Sequence, residues 1–264
     1  MTELRTPPVR AAAPLGPRTG WWAAVAAVYT TQLARARVAR APLLFVATLQ
    51  SIGILLLLRG VAHHTDRTTA GAVVAGASVL VVAFVALNLL AQRFGELRAA
   101  RALDYYAALP IPLAAVVLGA AASYATFTLP GAVLTAVVGA ALYSLPLAHV
   151  WVVVPVVVCA GVALAGCGAV LGLAMPRPEL ATVAGQLGMT AVLFLGVIPP
   201  GHLPGAARTA RDVVPSMLAV DAFAATLRGS VDPGAVAWRL AVTLVIGIVA
   251  LAVAGQLLRR AVRR

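Results

Sequence analysis

Apolar residues in this chain run in long unbroken stretches, separated by short segments that carry most of the charge. Six stretches are long enough to cross about 30 Å of hydrocarbon, which takes about 20 helical residues. They are Ala41 to Leu58, Ala70 to Ala91, Leu113 to Leu142, Val150 to Leu173, Leu180 to Ile198 and Val236 to Leu258. Ala, Val and Leu dominate them, with no alternation of polar and apolar positions. A membrane barrel needs that alternation between lipid and lumen, so the pattern predicts helices. The expected fold class is all-α and integral to the membrane, with six transmembrane helices. The third stretch is long enough to tilt or project from the bilayer, and Pro130 followed by Gly131 predicts a kink, because proline removes a backbone donor. Pro155 predicts a similar bend in the fourth.

Two segments precede the spans. Residues 1–20 hold Pro7, Pro8, Pro14 and Pro17 without a continuous apolar run, which reads as a flexible cytoplasmic tail rather than a cleaved secretory signal. In residues 21–40, Trp21, Trp22, Val25, Val28 and Tyr29 recur at helical spacing and lead into Arg35, Arg37 and Arg40. That order predicts an amphipathic helix in the headgroup layer. Residues 21–264 then form one transmembrane domain.

Composition sharpens this picture. With 62% hydrophobic and 11% charged residues among 264, and a mean hydropathy of +0.98, the chain cannot cover a soluble core with polar surface. The net charge of +12 therefore belongs to membrane flanks and not to a nucleic-acid surface. All 20 basic residues are arginine, so the chain lacks the lysine of a P-loop, of a Schiff base or of a Ser-Lys pair. ATP chemistry through a Walker site of its own is excluded. Fourteen arginines flank one side of the predicted spans: six before the first, then Arg93, Arg98, Arg101 and Arg177, and four at the end. The other side holds Arg59, Arg67, Arg208, Arg211, Arg228 and Arg239 with Asp66, Asp212, Asp221 and Asp232. By the positive-inside rule both termini are expected in the cytoplasm.

Reactive residues are few. Cys159 and Cys167 lie in one apolar stretch and read as packing residues. His63 and His64 share a short external loop with Asp66, His149 and His202 stand alone, and no HExxH or GxSxG motif occurs, so neither a metal site nor an intramembrane hydrolase is expected. No Asp, Glu or Arg sits in the middle of a span, which argues against an ion-coupled carrier. Gln50 and Asn88 are the polar candidates for a translocation path, or for hydrogen bonds between helices, and the second role is favoured. Gly168 and Gly172 form a small-xxx-small step that permits close helix contact. Arg259, Arg260, Arg263 and Arg264 read as an anchor against anionic lipid.

The richest polar segment is Gln92 to Pro112, which places both signs of charge on a helix between two spans. Glu96 with Arg101, and Arg101 with Asp104, are spaced to pair along a face, Leu97, Leu103 and Tyr106 can rest on protein or lipid, and Pro110 and Pro112 stop the helix. Such a segment predicts a docking surface for a cytoplasmic partner. The run Gly95-Glu96-Leu97 through Leu103-Asp104-Tyr105-Tyr106-Ala107-Ala108-Leu109-Pro110 resembles the first cytoplasmic loop of type-2 ABC exporter permeases. A second stretch, Gly196 to Pro200, Leu203-Pro204, Pro215 and Ala219 to Ala222 followed by Leu227-Arg228, is similar to that family's external segment, where re-entrant helical pieces precede the last span.

The resemblance implies a permease subunit of the cell membrane that exports a hydrophobic or amphipathic small substrate. It would pair with a second permease copy or a paralogue and work with separate ATP-binding subunits, which would hold ATP and magnesium. The chain itself is then expected to be neither an enzyme nor a cofactor carrier. Under that resemblance Glu96, Arg98, Arg101, Asp104, Tyr105 and Tyr106 contact the ATPase subunit. The competing expectations are a membrane anchor or assembly factor that recruits a partner without transport, and an ion-coupled secondary transporter.

Overall fold

The computed structural model describes residues 20–39, 41–61, 67–102, 109, 111–197, 205, 211, 214–227 and 232–262. Among these, six helices are long and apolar enough to cross a membrane. They are numbered here as span 1 (Pro42–Gly60), span 2 (Thr68–Ala99), span 3 (Ala114–Leu142), span 4 (Val150–Ala174), span 5 (Pro178–Gly196) and span 6 (Pro233–Ala261). Their ends lie close to those predicted from the apolar stretches, except that span 2 continues well past Ala91. The chain is thus a helical, multi-pass membrane protein, and no strand occurs among the described residues.

Span 2 is the centre of the bundle. Of its most apolar stretch, 89% is buried, against 22% for spans 1 and 6 and 28% for span 5. Lipid tails are as apolar as leucine, so helices in a bilayer associate where small residues let backbones approach. Glycines of three other spans meet span 2 in this way. Gly139 of span 3 lies against Val74, and Gly185 and Gly188 of span 5 lie against Asn88 and Leu87. Gly168 of span 4 lies so close that a methyl group there would sit 2.5 Å from the Leu87 carbonyl oxygen, and Gly172 is equally tight against the Ala91 carbonyl. The predicted Gly168/Gly172 step is therefore a contact face, and its partner is span 2.

The α-helical ladder of span 2 widens to a π-helix over Ala83–Leu89. This stretch supplies both carbonyls that face Gly168, those of Ala86 and Leu87. Spans 4 and 6 cross through a second glycine pair, with Gly247 against the backbone of Ala163 and Gly166 against Ala250.

The two prolines predicted to bend helices behave differently. Helix Leu113–Leu142 continues through Pro130, and the adjacent Gly131 receives Thr48 and Leu44 of span 1 at close range. Pro155 falls in the first turn of helix Val153–Ala174, which follows a 3₁₀ turn over Leu147–Val152. First-turn amides have no intrahelical partner, so this proline fits a helix start and not a bend. Span 3 closes on Ser144, whose φ is 52°. The Ser144 and Leu145 amides donate back to the Ala141 and Ala140 carbonyls at 3.4 and 2.8 Å, the double bond of a Schellman cap.

A helix over Trp21–Ala39 stands before span 1. It buries Ala24, Val28 and Gln32, a stripe of spacing four that packs on span 3. Gly119 receives Val28 and the Val25 carbonyl, and the Tyr29 hydroxyl donates to Thr126 Oγ1 at 3.4 Å. Trp22 stays 75% exposed, as suits a residue at the headgroup level. The predicted tail, apart from Gly20, lies outside the described residues.

Candidate functional site

Three polar features stand out against this apolar frame, and each sits at a different depth of span 2 or its surroundings.

The first is the end of span 2 that carries the predicted docking segment. Helix Leu90–Ala99 stops there, eleven residues before Pro110. Arg101 takes a left-handed φ of 51°, its amide donates to the Arg98 carbonyl at 3.2 Å, and the Ala102 amide donates to the Leu97 carbonyl at 3.0 Å. This is again a Schellman cap, with arginine in the place that usually takes glycine. The expected face running from Glu96 to Tyr106 is therefore interrupted, and proline is not what ends the helix. Glu96 is exposed and pairs with Arg93 at 3.5 Å, one helical turn back, instead of with Arg101. Leu103, Asp104, Tyr105, Tyr106 and Pro110 lie outside the described residues.

Arg98 is turned inward. Its Nη1 donates to the Leu173 carbonyl at 2.6 Å and to the Met175 carbonyl at 2.8 Å, carbonyls left without intrahelical donors where span 4 ends. On the same helix Gly95 admits Ala181 and the Pro178 backbone at the start of span 5. One short helix end is thereby tied to the turn joining spans 4 and 5, while Glu96 and Arg101 remain exposed on it.

The second feature is a chain of three amides. Gln92 Nε2 donates to Asn88 Oδ1 at 3.0 Å, and Asn88 Nδ2 donates to Gln186 Oε1 at 3.2 Å. Asn88 is 3% exposed and belongs to the π-helical stretch, and Gly185 clears the space beside it. Gln50 is placed apart, exposed on span 1 among Phe45, Val46 and Leu49.

The third feature is a helical piece before the last span, as expected, held by an ion pair that sequence reasoning missed. The helix Pro215–Leu227 is too short to cross a membrane yet buries Met217, Val220, Phe223 and Leu227 completely or nearly so. Asp221 on this helix takes a two-pronged bond from Arg211, Nη1 to Oδ2 at 2.9 Å and Nη2 to Oδ1 at 2.5 Å. Arg211 is 6% exposed and its Nε also donates to the Leu195 carbonyl at 3.2 Å, near the end of span 5. Span 6 holds the same helix from its other side: Thr243 Oγ1 donates to the Pro215 carbonyl at 3.3 Å and Arg239 Nη1 to the Asp221 carbonyl at 3.4 Å. Of the expected pieces before the last span, the described residues show the buried helix Pro215–Leu227. Its ion pair joins residues ten apart that read, in sequence, as ordinary loop charges.

Among the described residues no group of three or more His, Cys, Asp or Glu is placed to hold a metal. Cys159 and Cys167 are both free thiols. His63, His64 and His202 lie outside the described residues.

No curated protein matches the chain. The family model of the ABC-2 type transporter matches residues 26–227, from the amino-terminal helix to the end of the short buried helix. With this match over most of its sequence and six membrane-capable helices, the chain belongs to the ABC-2 type transporter family and has the architecture of its membrane-spanning permease domain.

Proposed function

We propose that this chain is the membrane half of an ABC exporter in the cell membrane, with both termini in the cytoplasm. Two permease chains, identical or paralogous, would move a hydrophobic or amphipathic substrate outward, driven by ATP bound with magnesium in separate subunits. The observation that carries the reading is the family match over residues 26–227 on a six-span bundle. The arginine bias toward one side supports the orientation. The apolar faces of spans 1 and 5, with Leu43, Phe45, Leu49, Val183, Leu187 and Phe194 exposed, suit contact with lipid, substrate or the second permease.

The helix end at Glu96 supports a mechanism. A partner pressing on Glu96 and Arg101 pushes on the cap of span 2, and through Arg98 and Gly95 the load reaches the joint of spans 4 and 5 at once. Three helices then move together, which is how a local push becomes a shift between two packed arrangements.

The test is purification of the tagged chain from its native membranes in mild detergent. A P-loop protein recovered in near-equal amount supports the exporter reading. Well-folded chain recovered alone, even after crosslinking, overturns it in favour of gradient-driven transport or an anchoring role.

A further inference from the structure

Two cavities, both open to the protein surface, lie one after the other along the seam between spans 4 and 6. The first, about 380 Å³, is walled by Cys167, Val170, Leu171, Ala250 and Val253 and is wholly apolar in its lining side chains. The second, about 260 Å³, is walled by Arg98, Leu173, Ala174, Leu257, Arg260 and Ala261. Between Val170 and Ala174, and between Val253 and Leu257, is about one helical turn, or roughly 6 Å. The two spaces therefore follow each other along one groove, which begins where the glycine crossing of Gly166 and Gly247 ends.

The charge in the groove is one-sided. Arg98 is fixed in place by its bonds to the Leu173 and Met175 carbonyls, and Arg260 is exposed on the last turns of span 6. Among the described residues no acidic side chain lines either cavity. Two guanidinium groups at the mouth of an apolar slot match a phosphodiester joined to an acyl chain, because arginine meets phosphate oxygens with several donors and the slot removes methylene groups from competing contacts. A free phosphate would use the second cavity and leave the first unexplained.

We propose that this groove binds an anionic glycerophospholipid, with its phosphate between Arg98 and Arg260 and one acyl chain lying in the cavity lined by Val170 and Val253. The bound lipid would fasten the ends of spans 4 and 6 to each other and to the cap of span 2. This site is separate from the transport reading, since it needs neither ATPase nor substrate.

The experiment follows thermal unfolding of the purified chain in neutral detergent while phosphatidylglycerol, phosphatidylcholine or inorganic phosphate is titrated in. Phosphatidylglycerol is expected to raise the midpoint saturably, and Arg260→Gln to require about fivefold more of it, the effect of one interfacial arginine. Val253→Trp, a change at a 41% exposed position, should weaken retention of the same lipid in native mass spectrometry by blocking the acyl slot. An equal rise with phosphatidylcholine, an equal rise with phosphate alone, or an unchanged phosphatidylglycerol response in Arg260→Gln would overturn the proposal. Because Arg260 is exposed, its variant remains folded and decides the question even if Val253→Trp does not fold.

Discussion

Asn88 Nδ2 donates to Gln186 Oε1 at 3.2 Å, and this bond joins the most buried helix of the bundle to one of its most exposed. Asn88 also accepts from Gln92, so its carboxamide is used on both ends. Interhelical hydrogen bonds in membranes average about 0.6 kcal/mol and reach about 1.7, and Asn88→Leu removes two bonds while leaving the half-buried Gln92 and the exposed Gln186 without this partner. Asn88→Leu should therefore destabilise the chain by about 1 kcal/mol or more, and the Asn88→Leu/Gln186→Leu pair by less than the sum of the singles. Thermal unfolding in detergent, run as a double-mutant cycle, measures the coupling. Strict additivity would show that the bond contributes nothing.

The Arg211–Asp221 pair is a stronger tie because two bonds run in parallel and the Arg211 side chain is only 7% exposed, though Asp221 keeps 30%. Removing one member of a fully buried pair costs about 3–5 kcal/mol, and partial hydration of Asp221 lowers that to about 2–3. Asp221→Asn and Arg211→Met should each lower the unfolding midpoint, and Arg211→Met/Asp221→Leu should recover most of the loss, since no lone charge is left behind. Protease accessibility of the 198–214 region offers a second readout. It should rise in the single variants and return toward wild type in the double.

Glycine substitutions separate packing from backbone propensity. A methyl at Gly168 would meet the Leu87 carbonyl oxygen at 2.5 Å, whereas one at Gly53 meets nothing within 4 Å. Gly168→Ala should destabilise by about 1–3 kcal/mol through overpacking, and Gly53→Ala should be neutral or stabilise by up to about 1 kcal/mol, the helix preference of alanine over glycine. Opposite signs from the same chemical change are the expected result. A similar response at both positions would mean that spans 2 and 4 are not in close contact.

The spans were legible because a bilayer imposes one rule on every crossing segment: enough consecutive apolar residues to satisfy the backbone internally. Val150 to Leu173 and Leu113 to Leu142 obey it without a single charged residue, and their ends fall within one residue of spans 4 and 3. The close approach at Gly168 and Gly172 was legible for a similar reason, although which helix fills the groove was not, since Ala and Val present nearly the same surface on every span. Three features left no local trace. The π-helical stretch contains neither glycine nor proline, the Arg101 cap lacks the glycine that marks such caps, and the Arg211–Asp221 bond depends on a fold-back between spans 5 and 6. Each is decided by tertiary packing, which one sequence window does not contain.

Arg101 offers the sharpest test of the proposed coupling, because its backbone and its charge are separable. A non-glycine residue at φ 51° carries a penalty of about 1 kcal/mol that glycine does not. Arg101→Gly should thus raise stability by about that amount while removing the exposed cation. Arg101→Ala removes the cation and keeps the strain. If Arg101 and Glu96 meet the ATPase subunit, both Arg101 variants and Glu96→Arg should reduce substrate-stimulated ATPase activity of the assembled complex by severalfold, with membrane insertion unchanged. If Arg101 serves only the cap, Arg101→Gly should match or exceed wild-type activity and Arg101→Ala should resemble wild type, an outcome that would leave Glu96 without its proposed neighbour at the interface.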